Sequence, residues 1–433
     1  MIEVSLCTRH PKEHFIISII NLTTHKANRS NGKQTSSTLD HQHKMPSLSH
    51  STSLLLLIVG MCQCLATERE DLAGGVIDWI RSTPGGNVND KVEVRRLDPA
   101  DATSALGVFA KADLEAKEVI MQVPRECYIE VFDHAKEVKM DSMEALYDYL
   151  CLLAEKTTKE MKRGEESDVA PYVKYLNQQS RNQIPAVWSK EGKDMLRDLL
   201  PDGSDGVDWI SDNFPKCSGM NLDDPFEVHV IALTKQRSFD SAMIPLYDMI
   251  NHDNGQINTE NTPISSESGI EVRASKPIKA GEEIFASYDR CLDCQDVSNY
   301  WGTPEILRDF GFVERYPRRF VAYDEDLWFE IWEGPGGEKE VRWDDYGLND
   351  EEKQYYRSYG LLYGSPDDKG IKYMKDELQR INALPPNKIS DCPANMPPNE
   401  CKTTLQYKEA VIEGFALAIV SAEQSKPSDK DEL

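Results

Sequence analysis

The alternation of hydrophobic and polar positions changes period several times along the chain. The predicted order is a helix at 70–82, β-like runs at 92–94, 106–110 and 119–123, mainly helices over 132–200, short strands from about 235 to 330, and helices from 342 onward. Helical spacing of apolar residues indicates the helices, and short runs closed by Gly or Pro indicate the strands. This order predicts an α+β fold rather than alternating βαβ units, and no internal repeat is present.

The length of the chain, 433 residues, favours two or three packed units. The pattern predicts a leader with a signal peptide at 1–66, an N-terminal helix with a first β part at 67–131, a helical insert at 132–235, a second β part at 236–330 and a helical C-terminal region at 331–433. Most of the chain is expected to fold because its apolar and charged fractions are ordinary.

The net charge narrows the choice of partner. The chain carries a formal charge of −25, although residues 1–66 hold six Lys or Arg and only three acidic residues. The remainder is therefore more acidic still. Such a surface repels phosphate backbones, so no nucleic acid partner is expected. It suits a basic or neutral protein substrate, and a solvated acidic surface without a binding role is an equally good interpretation.

The two ends of the chain carry address signals. Residues 54–66 form an apolar run that is too short for a membrane span, which needs about 20 residues. The run is typical of a signal peptide, with cleavage before Thr67 and translation starting at Met45. Residues Lys430–Leu433 are the retrieval signal of the endoplasmic reticulum. Together they predict residence in its lumen, without stable membrane insertion after the signal is removed.

An oxidising lumen changes how the cysteines are interpreted. Seven follow residue 66, so at least one stays unpaired. Cys392 and Cys401 bracket a proline-rich loop and could be joined by a disulfide. Cys291 and Cys294 form a CxxC pair in an acidic loop rather than in a thioredoxin-like setting. A local disulfide is the favoured interpretation, with a zinc half-site and a redox pair as alternatives.

Three segments carry more specific chemistry than a scaffold requires. They are residues 105–120 with Leu106-Gly107-Val108-Phe109, residues 237–252 with Asp248-Met249-Ile250-Asn251-His252, and residues 278–313 with Gly281-Glu282-Glu283-Ile284-Phe285-Ala286-Ser287-Tyr288 and Phe310-Gly311-Phe312. In this order they resemble the SET-domain methyltransferases, in particular the class of the Rubisco large-subunit lysine methyltransferase and the actin-histidine methyltransferase. The resemblance covers about residues 72–330. It implies a SET fold of short strands with a pseudoknot, split by a helical insert and followed by a helical C-terminal domain.

The resemblance also implies a cofactor, S-adenosyl-L-methionine, and roles for particular residues. The implied cofactor-binding residues are Leu106 and Gly107 in a loop, Arg237 near the cofactor carboxylate, Asp248, and the pair Asn251 and His252. Tyr288 corresponds to the tyrosine beside the methyl-transfer channel, and the implied channel walls are Tyr300, Phe310 and Phe312. No metal is expected, because no second His or Cys stands at ligand spacing from His252.

The chemistry of methyl transfer agrees with this set of residues. Transfer from a sulfonium to an amine is an in-line displacement, which needs alignment and a dry, electron-rich channel rather than a covalent nucleophile. A lysine must arrive neutral although its free pKa is about 10.4, and desolvation among aromatic side chains lowers that pKa. We therefore predict protein-lysine methylation in the lumen. The alternatives are a histidine acceptor and a non-catalytic SET-like module that binds a lumenal protein.

Overall fold

The computed structural model describes residues 68–101, 104–132, 143–200, 207–214, 217, 219–239, 241–288, 302–322, 327–343, 368–384 and 392–424. The helices are α1 (68–82), α2 (Met143–Arg163), α3 (Ala170–Asn177), α4 (Lys190–Arg197), α5 (Trp209–Asn213), α6 (Pro225–Arg237), α7 (Thr303–Phe310), α8 (Asp368–Ala383) and α9 (Pro398–Gln424). The predicted signal peptide, the retrieval signal, Tyr300 and the Cys291–Cys294 pair lie outside the described residues.

The strands are short. They are β1 (Asn87–Val88), β2 (Val92–Arg96), β3 (Leu106–Ala110), β4 (Val119–Val123), β5 (Ile129–Glu130), β6 (Ser238–Phe239), β7 (Ala242–Met243), β8 (Asn251–His252), β9 (Thr259–Asn261), β10 (Ile270–Ala274), β11 (Phe285–Ala286), β12 (Arg318–Ala322), β13 (Leu327–Glu333) and β14 (Lys339–Arg342). The strands at 92–96, 106–110 and 119–123 and the helix at 68–82 agree with the sequence pattern, and the α+β prediction is confirmed.

Strands from before and after the helical insert share the same sheets. An antiparallel sheet has the order β1-β4-β10-β9, in which Val272 faces Met121. Sheet β5-β7-β6 likewise pairs Ile129 with Met243. Strand β3 pairs with β2 and also bridges to the second half at Phe109 and Glu283. The two predicted β parts therefore form one structural unit despite their distance in sequence.

One apolar core holds these sheets together. Val108 and Met121 come from the first half and Ile250 and Ile284 from the second, and all are fully buried. Burying a side chain of this kind stabilises the fold by about 1.5–3 kcal/mol. The core is therefore the energetic reason why chain segments separated by the insert meet around β8 and β11.

The helical insert divides its contacts between two cores. Helices α2, α3 and α6 pack against the sheets, and a disulfide joins Cys151 in α2 to Cys217 with a Cα–Cα distance of 5.5 Å. Helix α4 instead shares a core with the C-terminal region. Ser189 is the N-cap of α4, and the buried carboxylate of Glu400 in α9 accepts its backbone N–H at 3.1 Å. One helix of the insert is thus docked onto the C-terminal helices.

The C-terminal region begins with a sheet rather than with helices. Strands β12, β13 and β14 pair in that order, and β13 crosses residue 330, where a boundary was predicted. The final helix starts at Pro398 and buries Tyr407, Phe415 and Ala418. The predicted Cys392–Cys401 disulfide is present. Among the described helices, none has the length and apolarity needed to span a bilayer.

Candidate functional site

The centre of the candidate site is a parallel pair of two-residue strands. Asn251 lies opposite Phe285 and His252 opposite Ala286. The chain enters β8 through a turn at Tyr247–Met249 that follows Leu246, a buried residue with a φ of 68°. A positive φ is strained for any residue other than glycine, and such strain is concentrated at functional sites. This turn is what directs Asp248, Asn251 and His252 into one region.

The Asn251 side chain acts as a brace. Its amide Nδ2 donates to the Leu106 carbonyl at 3.0 Å and to Glu283 Oε1 at 2.7 Å. A Cβ atom added to Gly107 would lie 2.8 Å from that Nδ2 and closer still to Glu283 Oε1, so only glycine fits here. Burial raises the pKa of Glu283, and the bond from Asn251 lowers it in part. Leu106 and Gly107, which begin strand β3 rather than lie in the predicted loop, are therefore held against β8 and β11.

His252 is buried and bonded on both ring nitrogens. Its Nδ1 accepts the backbone N–H of Tyr288 at 3.0 Å, and its Nε2 lies 3.0 Å from Glu314 Oε2. The carboxylate of Glu314 also accepts from the Thr303 hydroxyl at 2.7 Å. His252 thus connects the strand pair to the start of α7. Within the described residues, no group of three or more His, Cys, Asp or Glu has a geometry suited to a metal.

Aromatic rings surround Tyr288. Its ring centroid lies 4.6 Å from that of Phe310 and 6.5 Å from those of Phe312 and Phe239. Tyr288, Phe310 and Phe312 are each only partly buried, so this aromatic cluster reaches the surface. The Tyr288 hydroxyl donates to the Ile250 carbonyl at 2.8 Å, and burial raises its pKa well above the usual value. The phenol is therefore neutral, and the predicted channel residues Phe310 and Phe312 lie next to it.

Arg237 and Asp248 form a buried ion pair close to the same turn. Arg237 Nη1 lies 3.1 Å from Asp248 Oδ2, and its Nη2 donates to Gln179 Oε1 at 2.9 Å. The Tyr172 hydroxyl also donates to Asp248 Oδ2, at 2.8 Å. Asp248 Oδ1 is buried and has no hydrogen-bond partner among the described residues. Burial raises the pKa of Asp248, although Arg237 and Tyr172 oppose the shift.

The structure brings the predicted residues of the site together and adds others. Leu106, Gly107, Asn251, His252 and Tyr288 are joined by the bonds above, whereas Arg237 and Asp248 pair with each other. The residues that the sequence did not single out are Tyr172, Gln179, Glu283 and Glu314. Glu283 and Glu314 lie within or directly after the quoted motifs, a signal that could have drawn attention to them. Tyr172 and Gln179 belong to the insert, where no motif marks them.

Comparison with protein families gives the site a context. Residues 105–289 match the family model of the SET domain. This matched segment resembles a SET domain. It begins one residue before Leu106 and ends one residue after Tyr288, so it contains the Asn251 brace, His252 and the Arg237–Asp248 pair. Phe310, Phe312 and Glu314 lie beyond the matched segment of the SET domain.

The chain is also similar to particular known proteins. The chloroplastic [fructose-bisphosphate aldolase]-lysine N-methyltransferase of Arabidopsis thaliana is 26% identical over 259 residues, 51% of this chain and 49% of that protein. The chain thus spans about half the length of this relative. Similar solved structures include the SET domain of LSMT bound to lysine and AdoHcy (13% identity, TM-score 0.47, 82% of this chain and 91% of that one) and Rubisco LSMT bound to AdoMet (15%, 0.45, 84% and 95%).

Proposed function

We propose that the chain is an S-adenosylmethionine-dependent protein methyltransferase that acts on a lysine of a protein in the endoplasmic reticulum lumen. The observation that carries this proposal is the partly exposed aromatic cluster around Tyr288, which lies against the Asn251–His252 strand inside a SET domain. The similar Arabidopsis protein is named as a lysine N-methyltransferase. The similarity to that protein supports a lysine acceptor here.

The residues present fit a cofactor that bears an amino group and a carboxylate. Gly107 allows the backbone to lie against the side chains of Asn251 and Glu283, and Asp248 Oδ1 is a buried acceptor without a described partner. An unpaired buried acceptor costs about 1–3 kcal/mol, which a bound donor recovers. Leu106 and Gly107, with the backbone of Asn251 and His252, would hold the cofactor, and Arg237 would neutralise its carboxylate. When bound, the cofactor supplies an electrophilic methyl group.

The aromatic cluster accounts for the acceptor chemistry. Water exclusion by Tyr288, Phe310 and Phe312 favours the neutral amine of an incoming lysine, because desolvation disfavours the ammonium form. The neutral Tyr288 phenol, fixed by the Ile250 carbonyl, borders the path of the amine. Alignment of amine and methyl group then supplies most of the rate enhancement. A histidine acceptor remains the alternative, since an imidazole reaches the same space.

Calorimetric titration with S-adenosylhomocysteine tests the cofactor site, with wild type beside Asn251→Ala. Saturable binding that is lost in a folded Asn251→Ala protein supports the proposal, because the variant lacks the hydrogen bond from the Asn251 side chain that holds Leu106 and Gly107 in place. Absence of binding by folded wild type would favour the non-catalytic module. Tritiated cofactor incubated with a lumenal extract, followed by acid hydrolysis, separates methyllysine from methylhistidine. Label in neither amino acid would exclude both acceptors.

The lumenal location is supported by two disulfides, Cys151–Cys217 and Cys392–Cys401, whose Cα–Cα distances of 5.5 and 5.8 Å suit such bonds. Stable disulfides are typical of oxidising compartments. Deleting residues 430–433 tests the location in cells. We expect the truncated protein in the medium and the full chain within the endoplasmic reticulum. Equal distribution of both proteins in the cytosol would contradict the proposal.

A further inference from the structure

His252 has one possible tautomer in this arrangement. The backbone N–H of Tyr288 can only donate, so His252 Nδ1 must be unprotonated to accept it at 3.0 Å. In the neutral ring the proton is then on Nε2, which donates to Glu314 Oε2 at 3.0 Å. The other tautomer would place two donors face to face at Nδ1 and two acceptors at Nε2. The contacts on the two sides of the ring therefore decide its protonation pattern.

Hydrogen bonds orient the carboxylate of Glu314 so that one of its oxygens faces His252. Its side chain is 2% exposed and that of His252 is 1% exposed. The Thr303 hydroxyl donates to Oε1 at 2.7 Å, and the backbone N–H of Arg319 approaches the same oxygen at 3.3 Å. These bonds orient the carboxylate and leave Oε2 for the imidazole. A buried carboxylate in a fixed orientation is a common means of setting a histidine tautomer.

The protonation pattern of His252 also affects the position of Tyr288. Its backbone is anchored by His252 Nδ1, and its hydroxyl is anchored by the Ile250 carbonyl, one residue before β8. We propose that Glu314 is a positioning residue, which holds His252 as the Nε2–H tautomer and thereby fixes Tyr288 for methyl transfer. This inference rests on the proposed function. It adds a residue beyond the matched SET segment to the machinery that aligns the reaction.

The direct test reads the tautomer in wild-type protein. Histidine labelled with ¹⁵N distinguishes protonated from unprotonated ring nitrogens in long-range proton–nitrogen spectra, and His252→Gln assigns the signal by its loss. We expect Nε2 protonated and Nδ1 unprotonated. A wild-type ring protonated at Nδ1 would overturn the proposal. This measurement needs neither turnover nor a folded Glu314 variant.

The variant Glu314→Gln tests the role of the carboxylate. If the NH2 group of the new amide faces His252, it meets the Nε2–H donor. If it faces away, it meets the backbone N–H of Arg319. In both orientations a donor faces a donor, so the hydrogen bonds that favour the Nε2–H tautomer are weakened. We expect a mixed or inverted tautomer, a shifted Tyr288 amide signal, and a kcat lower by about 10–100-fold. The KM for the cofactor should change less than about threefold, because the described contacts of the Glu314 side chain are with His252, Thr303 and Arg319 and not with Leu106 or Gly107.

Thr303→Val is the matched control. It removes a bond to the same carboxylate but leaves Oε2 facing His252, so stability should fall while the tautomer is kept. Glu314→Gln that retains the wild-type tautomer, Tyr288 signal and kcat would refute the positioning role. Wild type without turnover but with the expected tautomer would contradict the proposed function instead. A Glu314→Gln protein that shows the same loss of stability as Thr303→Val and no change in tautomer would reduce Glu314 to a structural residue.

Discussion

Two buried arginine–carboxylate pairs in the molecule differ in how completely they are bonded. Arg319 and Glu330 are each 1% exposed; Glu330 Oε1 accepts from Arg319 at 2.7 Å and Oε2 from Trp332 Nε1 at 2.9 Å. In the other pair, Asp248 is fully buried and Arg237 is 16% exposed, and Asp248 Oδ1 has no described partner. The first pair lies in the C-terminal sheet and the second lies beside the candidate site.

The difference leads us to expect a structural role for the first pair and a ligand-binding role for the second. A buried polar group normally has a hydrogen-bond partner, so a fully bonded pair needs no ligand. An unpaired buried oxygen is unfavourable, and a ligand that donates a hydrogen bond to it gains binding free energy. The positive φ of Leu246, two residues before Asp248, supports the same distinction, because backbone strain is concentrated at functional sites. Stability should therefore depend on the Arg319–Glu330 pair, and ligand binding on the Arg237–Asp248 pair.

The largest expected effect is on the structural pair. Glu330→Ala leaves the buried guanidinium of Arg319 without this acid, and such a loss costs about 3–5 kcal/mol of unfolding free energy. Denaturation in urea measures it. The remaining folded protein should bind S-adenosylhomocysteine as wild type does. An unfolding free energy within about 1 kcal/mol of wild type would contradict the structural role of the Arg319–Glu330 pair.

The Cys151–Cys217 disulfide is the next largest contribution to stability. It closes a sequence separation of 66 residues, for which the chain-entropy model gives about 4 kcal/mol. The Cys392–Cys401 bond closes a separation of 9 residues, which corresponds to about 2–3 kcal/mol. Thermal unfolding of the two double Cys→Ser variants measures the order. The reverse order would mean that strain or residual structure outweighs loop entropy.

Asp248→Asn should lower activity more than stability. Burial already raises the pKa of Asp248, and Asn retains an oxygen for Arg237 and Tyr172, so unfolding free energy should change by less than about 1 kcal/mol. Replacing the unpartnered acceptor by a donor should lower turnover by about tenfold or more. Steady-state kinetics beside urea denaturation separates the two quantities. Unchanged kinetics with a loss of stability would make this pair structural as well.

The smallest expected effect concerns Glu305, a partly buried carboxylate that accepts the N–H of Gly302 at the start of α7. Burial raises its pKa to about 7 from 4.5. The folded state then holds a proton that the unfolded state has lost, so stability falls as pH rises through this range. Glu305→Gln should remove about 1 kcal/mol of that fall between about pH 6 and pH 8. An identical pH dependence of unfolding in both proteins would disprove this assignment.

The sequence predicted the elements whose signals are local. The helix at 68–82, strands β3 and β4 and the α+β order follow from hydrophobic period and from Pro and Gly positions. The short loop between Cys392 and Cys401 likewise indicated their disulfide. The sheet that crosses residue 330 was missed, because tertiary packing decides where such strands begin and end.

The sequence by itself predicted that the segments around Leu106, Asn251 and Tyr288 contribute to one site, because the order of their motifs resembles that of the SET domain. Only the tertiary structure decided what supports them. Glu314 meets His252 across 62 positions and Tyr172 meets Asp248 across 76, while α4 joins the C-terminal core. No local period encodes such pairs. They form when burial of apolar surface brings distant segments together and each polar group must then find a partner.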